Sequence, residues 1–147
     1  MTNDIHALHP EPRKAAQAAI AELRDKKIPF KVTSTLRTAL EQFALWLQGR
    51  VGLVAVNRAR KLAGMYPIGE KQNTYTVTQC DGVDFPSRHQ AGDTLDVVPL
   101  GANGNPIWPS SDDPRWGEIA VVMERHGFRA GLRWAEPDPS HYEWVHS

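Results

Sequence analysis

Apolar residues recur along this chain with two different periods. Ala16, Ala19, Ile20 and Leu23 fall at i, i+3, i+4 and i+7, the single stripe of an amphipathic helix. Pro10 and Pro12 suit its first turn, and Lys26, Lys27 and Pro29 its end. Phe30 to Thr35 is rich in β-branched residues and reads as a short strand. Thr38-x-x-Glu41 is a capping-box pattern opening a second helix. Its buried face is expected from Leu40, Phe43, Ala44 and Leu47, with Gly49 as the stop. Val51 to Leu62 predicts a third helix, ended by Gly64 and Pro67, with Arg58, Arg60 and Lys61 on a solvated face.

Further on, Gly69 to Asn73 is a polar loop, and Thr74-Tyr75-Thr76-Val77-Thr78 is by composition the clearest strand. Asp81 to Pro86 is turn-rich. Leu95 to Val98 reads as β, Pro99 to Pro109 as loop, and Trp116, Ile119, Ala120 and Met123 return to helical spacing before Gly127. His141 to Val145 reads as a last strand. Helices come first, then strands mixed with a helix. That order predicts an α+β fold, with a small antiparallel sheet and flanking helices.

Composition narrows the function classes. Apolar content of 41% and charged content of 23% are ordinary for a globular chain. Seventeen basic and seventeen acidic residues cancel, which argues against a dedicated nucleic-acid binder. Cys80 stands alone, so no internal disulfide can form. No apolar run approaches the ~20 residues needed to cross a bilayer, so no stable membrane insertion is expected. Met1 to His6 has neither a basic nor an apolar signal region, predicting synthesis in the cytoplasm without Sec export. With no repeat or linker, residues 1–147 are expected to form one domain and a monomer, residues 1–9 being loosely packed.

The chemistry concentrates in two places. Ser87-Arg88-His89-Gln90-Ala91-Gly92-Asp93-Thr94-Leu95-Asp96 sets a histidine and a carboxylate seven residues apart. Forty-five residues after Asp96 comes His141, within Asp138-Pro139-Ser140-His141-Tyr142-Glu143-Trp144. Strand alternation puts Thr94, Asp96 and Val98 on one face, and His141, Glu143 and Val145 on one face of the last strand. If the two strands are neighbours, Asp96 and His141 converge. His89, on the loop turned by Gly92, would complete two imidazoles and a carboxylate, a donor set for tetrahedral zinc with one position left for water. The plain alternative is surface histidines and a strand-end aspartate. His6, His9, His126 and His146 read as ordinary histidines. Cys80 is either a further ligand or a small core residue, and Trp108, Trp116, Trp134 and Trp144 either line a cleft or fill the core.

Ser-x-His-x-x-Gly-x-x-x-Asp followed by Asp-x-x-His resembles the zinc D,D-carboxypeptidases and L-alanyl-D-glutamate endopeptidases of peptidoglycan. That family includes vancomycin-resistance carboxypeptidases and phage endolysins, and its fold is shared with the hedgehog signalling domain. Val32-Thr33-Ser34-Thr35-Leu36-Arg37-Thr38 with Glu41-Gln42, Gln48-Gly49-Arg50, and Gly131-x-x-Trp134 are similar to the family too. The resemblance runs from about residue 10 to the C-terminus. It implies zinc ligands at His89, Asp96 and His141, Asp138 as acid/base, and Arg37 on the substrate or the oxyanion. Ser87 and Gln42 are candidates for substrate hydrogen bonds, or for local capping. Glu143 is the rival to Asp138, as base or as a partner fixing an imidazole. Thr94 stands where the family usually has alanine, Leu36 where it has an aromatic. Asp138 in place of glutamate leans toward the endolysin branch.

The resemblance thus implies a peptidase acting on peptidoglycan stem peptides in the periplasm or wall, with the L-Ala–D-Glu bond the expected target. The alternatives are a D-Ala-D-Ala carboxypeptidase and a non-catalytic zinc-containing binding module of the same fold.

Overall fold

The computed structural model describes residues 1–145; His146 lies outside them. The chain forms two compact units: Met1 with Arg37–Ala91, and Thr2–Leu36 with the chain from Gly92 onward.

The larger unit is the α+β part. Helix α1 (Pro10–Asp25) buries Pro12, Ala16, Ala19, Ile20 and Leu23, the stripe its periodicity predicts. It ends through Lys27, a non-glycine residue at φ 57°. Strands β1 (Phe30–Ser34), β2 (Thr94–Pro99), β3 (Phe128–Ala130) and β4 (His141–Trp144) form one antiparallel sheet in the order β1-β2-β4-β3. Helix α4 (Pro114–Arg125) has Asp113 as N-cap and buries Trp116, Ile119, Ala120, Val122 and Met123. Helix and sheet meet in one core of Ala16, Ala19, Leu23, Leu95, Val97, Ile119, Met123, Phe128 and Tyr142. Leu95, Val97 and Tyr142 thereby occupy the core face of the sheet. Thr94, Asp96, His141 and Glu143, one residue out of phase, occupy the other face.

One expectation about this unit needs correction. Residues 1–9 are tied down. Leu8 is buried in the core, His9 N–H donates to the Gly92 carbonyl at 2.9 Å, and the Thr35 N–H donates to the Thr2 carbonyl at 3.0 Å. Strand β3 had no sequence signal, because three residues are too few for a period-2 pattern.

The smaller unit holds helices α2 (Ala39–Leu47) and α3 (Leu53–Leu62), packed through Ala44, Leu45 and Met65 with Ala59 and Ala63. The predicted capping box is present: Thr38 Oγ1 accepts from Glu41 N–H at 3.1 Å, and Glu41 Oε1 from Thr38 N–H at 2.9 Å. Glu41 also receives the Met1 ammonium at 3.0 Å. The buried face of α2 is rotated from expectation. Leu40 and Phe43 are exposed, and Glu41, Gln42, Ala44 and Leu45 are buried. Two polar residues occupy that face because their hydrogen bonds are satisfied inside the protein.

Thr74–Thr78 is not a strand. A 3₁₀ turn covers Gln72–Thr74, and the residues after it join no sheet, leaving Tyr75 and Val77 half exposed. β-propensity needs a paired, half-buried surface to act on. The Tyr75 backbone instead lies on Gly49, whose φ of +79° and lack of a Cβ let the two main chains touch.

Candidate metal centre

In the larger unit, the register of the central strands builds most of the site. Asp96 on β2 is paired with His141 on β4, and Thr94 with Glu143. His141 Nδ1 stands 3.8 Å from Asp96 Oδ1 and 4.0 Å from Asp138 Oδ2. Its Nε2 stands 3.0 Å from Glu143 Oε1. The two carboxylates that compete for the role of base thus lie at opposite nitrogens of one ring, Asp138 on the Asp96 side and Glu143 behind. Asp138 is open to solvent, with 55% of its side chain exposed, whereas His141 is buried. An exposed carboxylate beside a buried imidazole can meet an incoming substrate; Glu143, half-buried, is less accessible.

The segment before β4 fixes both groups. The Gly131 carbonyl accepts from the N–H of Trp134 at 3.1 Å and of Asp138 at 3.0 Å, and the Asp138 carbonyl accepts from His141 N–H at 3.1 Å. A Cβ on Gly131 would sit 2.4 Å from the Asp138 carbonyl oxygen, so only glycine permits this approach. The Trp134 ring lies 5.1 Å from the His141 ring, tilted by 48°. Gly131 and Trp134 belonged to the sequence motif, but their service as a mould for Asp138 and His141 had no signal there.

In the smaller unit, His89 sits in a 3₁₀ turn, Arg88–Gln90, and is buried. Ser87 Oγ accepts from His89 N–H at 3.3 Å, and Gln90 Oε1 from Ser87 N–H at 2.8 Å. Ser87 is therefore occupied in capping the turn that presents His89. The Arg37 N–H donates to the His89 carbonyl at 2.8 Å, which fixes the arginine backbone against the histidine. Gln42, wholly buried, donates to the Cys80 carbonyl at 2.8 Å and Thr78 Oγ1 at 3.2 Å, and accepts from Arg37 Nη1 at 3.3 Å. Its amide holds the guanidinium and the 78–80 segment. Cys80 is a free, half-buried thiol whose carbonyl, not its sulfur, enters this network.

Among the described residues, His89, Asp96 and His141 form the group that could hold a metal ion, one ligand atom of each lying within 4.8 Å of the others. The donor set suits zinc: two imidazole nitrogens and a carboxylate oxygen, with a fourth position for water. Zinc ligands at 2.0–2.2 Å in a tetrahedron stand about 3.4 Å apart. The 3.8 Å between His141 Nδ1 and Asp96 Oδ1 is close to that edge.

Comparison with known proteins bears on the same stretch of chain. The family model described as D-alanyl-D-alanine carboxypeptidase matches residues 82–144, which include all three residues of the candidate metal group and Asp138. No curated protein sequence matches the chain. Among solved structures, the Serratia marcescens L-Ala D-Glu endopeptidase ChiX is similar at a TM-score of 0.58 and 22% identity, over 96% of this chain and 83% of that one. The LD-carboxypeptidase LdcB is similar at 0.61 and 16%, over 94% of this chain and 59% of that one. The vancomycin-resistance D,D-pentapeptidase VanY, solved as a mutant in complex with Zn(II), is similar at 0.59 and 18%, over 95% and 73%. At these identities the likeness is one of fold. Residues 82–144 are thus similar to the family described as D-alanyl-D-alanine carboxypeptidase, and the chain shares the fold of these solved peptidases.

Proposed function

We propose that the protein is a zinc peptidase that hydrolyses a peptide bond of the peptidoglycan stem peptide, the L-Ala–D-Glu bond, as an endolysin acting in the periplasm or wall of a phage host. The observation that carries this reading is the donor set of His89, Asp96 and His141 with Asp138 4.0 Å from His141 Nδ1. His89, Asp96 and His141 would hold the ion. A zinc ion there would supply Lewis acidity and a water acidified toward a pKa of ~7. Asp138 takes a proton from the attacking water and returns it to the leaving amine. Arg37, its backbone pinned to His89 and its guanidinium to Gln42, presents a fixed cation to a substrate carboxylate or to the developing oxyanion.

The aspartate in place of a longer acid and the likeness to an L-Ala D-Glu endopeptidase support the choice of bond. The matched family's description, and a neighbour solved with D-alanine-D-alanine, favour D-Ala-D-Ala carboxypeptidase activity as the second reading. Incubation with defined muropeptides separates them: a new D-Glu amino terminus supports the endopeptidase, and released D-Ala the carboxypeptidase. Chelation should abolish turnover and zinc should restore it. Asp138→Ala should lower turnover by about 10²–10⁴-fold, the usual worth of a general acid/base, with zinc content unchanged. Turnover that survives this change removes Asp138 from the role. A wild-type protein that binds zinc and cuts no muropeptide is the binding module of the same fold.

A further inference from the structure

His141 has oxygen acceptors at both ring nitrogens, and the two sides differ. At Nε2, Glu143 Oε1 lies 3.0 Å away, from a residue two positions along the same strand face. On the Nδ1 side, Asp96 Oδ1 lies 3.8 Å away and Asp138 Oδ2 4.0 Å. A carboxylate offers acceptors and no donor, so the short contact is a hydrogen bond only when the ring proton is on Nε2. That tautomer places the Nδ1 lone pair on the side of Asp96. Only 9% of the His141 side chain and 16% of the Glu143 side chain are exposed, so water competes little for the bond. The flanking Trp134 ring restricts rotation of the imidazole.

We propose that Glu143 is a positioning residue that holds the Nε2 proton of His141 and thereby makes Nδ1 the metal-binding atom. It does not touch substrate. Its oxygen sits behind the ring and fixes the ring's orientation and tautomer, as outer carboxylates do for ligand histidines. The inference rests on the zinc-site reading above and assigns Glu143 a task distinct from that of Asp138.

The test reads the ring and the metal separately. Nitrogen-15 NMR of the apoprotein should show His141 protonated on Nε2. In Glu143→Ala that preference should be lost, and in Glu143→Gln, whose amide oxygen still accepts, it should persist. Zinc affinity, measured by competition with a chromophoric chelator, should fall about 10–100-fold in Glu143→Ala and stay near wild type in Glu143→Gln. Circular dichroism confirms that each variant is folded, and the glutamine variant carries the comparison if the alanine variant is not. An Nδ1–H ring in the wild type, or unchanged zinc affinity in a folded Glu143→Ala, overturns the proposal. A wild-type protein that takes up no zinc overturns it together with the zinc site. One that takes up zinc without cutting muropeptides overturns the functional reading alone.

Discussion

Gly131→Ala is the sharpest way to ask whether the segment before β4 sets the catalytic geometry. The added Cβ would lie 2.4 Å from the Asp138 carbonyl oxygen and 3.2 Å from His141 Cβ. Carbon contacts settle near 3.5–4.0 Å, so the Asp138 backbone must retreat by roughly 1 Å. The obstacle is main chain, held by hydrogen bonds from Asp138 N–H to Gly131 and from His141 N–H to Asp138, so the shift reaches the carboxylate and the imidazole together. A misplacement of about 1 Å can cost 10²-fold in rate, or about 2.7 kcal/mol of transition-state stabilisation. Overpacking should also lower stability by about 1–3 kcal/mol, a fall of about 2–12 °C in Tm for a chain of this size. Gly117→Ala is the control: a Cβ there meets nothing within 4 Å, and alanine in the interior of α4 should add about 0.5–1 kcal/mol. The assay pairs turnover of a defined muropeptide at saturating substrate with a melting curve for each variant. Unchanged turnover in Gly131→Ala would refute the mould argument, since no flexible side chain is present to absorb the clash.

The remaining predictions concern the supports of the two units. Gln42→Leu strips partners from the Cys80 carbonyl and Arg37 Nη1, and should cost about 1–3 kcal/mol in urea unfolding; an unchanged midpoint would mean that these bonds contribute nothing. Glu22 joins α1 to the end of α4 through Arg125 and His126 at 3.0 Å, with Lys26 of its own helix end at 3.1 Å, and the Arg125 guanidinium holds its carboxyl down from 4.5 to about 2. Because the folded pKa is the lower one, this stabilisation is complete above pH 4.5 and disappears as the pH falls through 2. Tm curves of wild type and Glu22→Gln should therefore converge toward pH 2, and parallel curves would count against the cluster. The fully buried Tyr142 hydroxyl has no hydrogen-bond partner among the described residues, and burial pushes its phenol far above its ordinary range. Removing an unsatisfied hydroxyl relieves about 1–3 kcal/mol of desolvation, so Tyr142→Phe should be neutral or more stable in denaturant titrations; a clear loss would reveal a bound water.

What the sequence made legible, and what it hid, divides along a physical line. The stripes of α1 and α4 and the alternation of β2 and β4 were readable because each repeats over several residues against one large core. The same alternation put Asp96 and His141 on the face away from Leu95 and Tyr142, so two members of the candidate metal group followed from pattern once the strands were paired. Where the pattern failed, a hydrogen bond had displaced hydrophobicity as the organising force. Gln42 and Glu41 are buried on α2 because the Cys80 carbonyl, Thr38 and the Met1 ammonium satisfy them, and no apolar period can announce that. Thr74–Thr78 has the residues of a strand but no neighbour to pair with, and its Thr78 hydroxyl serves Gln42 instead. Glu143 is the most instructive position. Sequence placed it on the face of His141, where it could be a base or an anchor. Only the choice of ring nitrogen, 3.0 Å at Nε2 against Asp138 at 4.0 Å from Nδ1, gives the two acids different work. A proton can sit on only one side of a neutral imidazole, so on the proposed reading the acid behind the ring would determine which nitrogen faces a metal, and the acid in front would be left to serve the substrate.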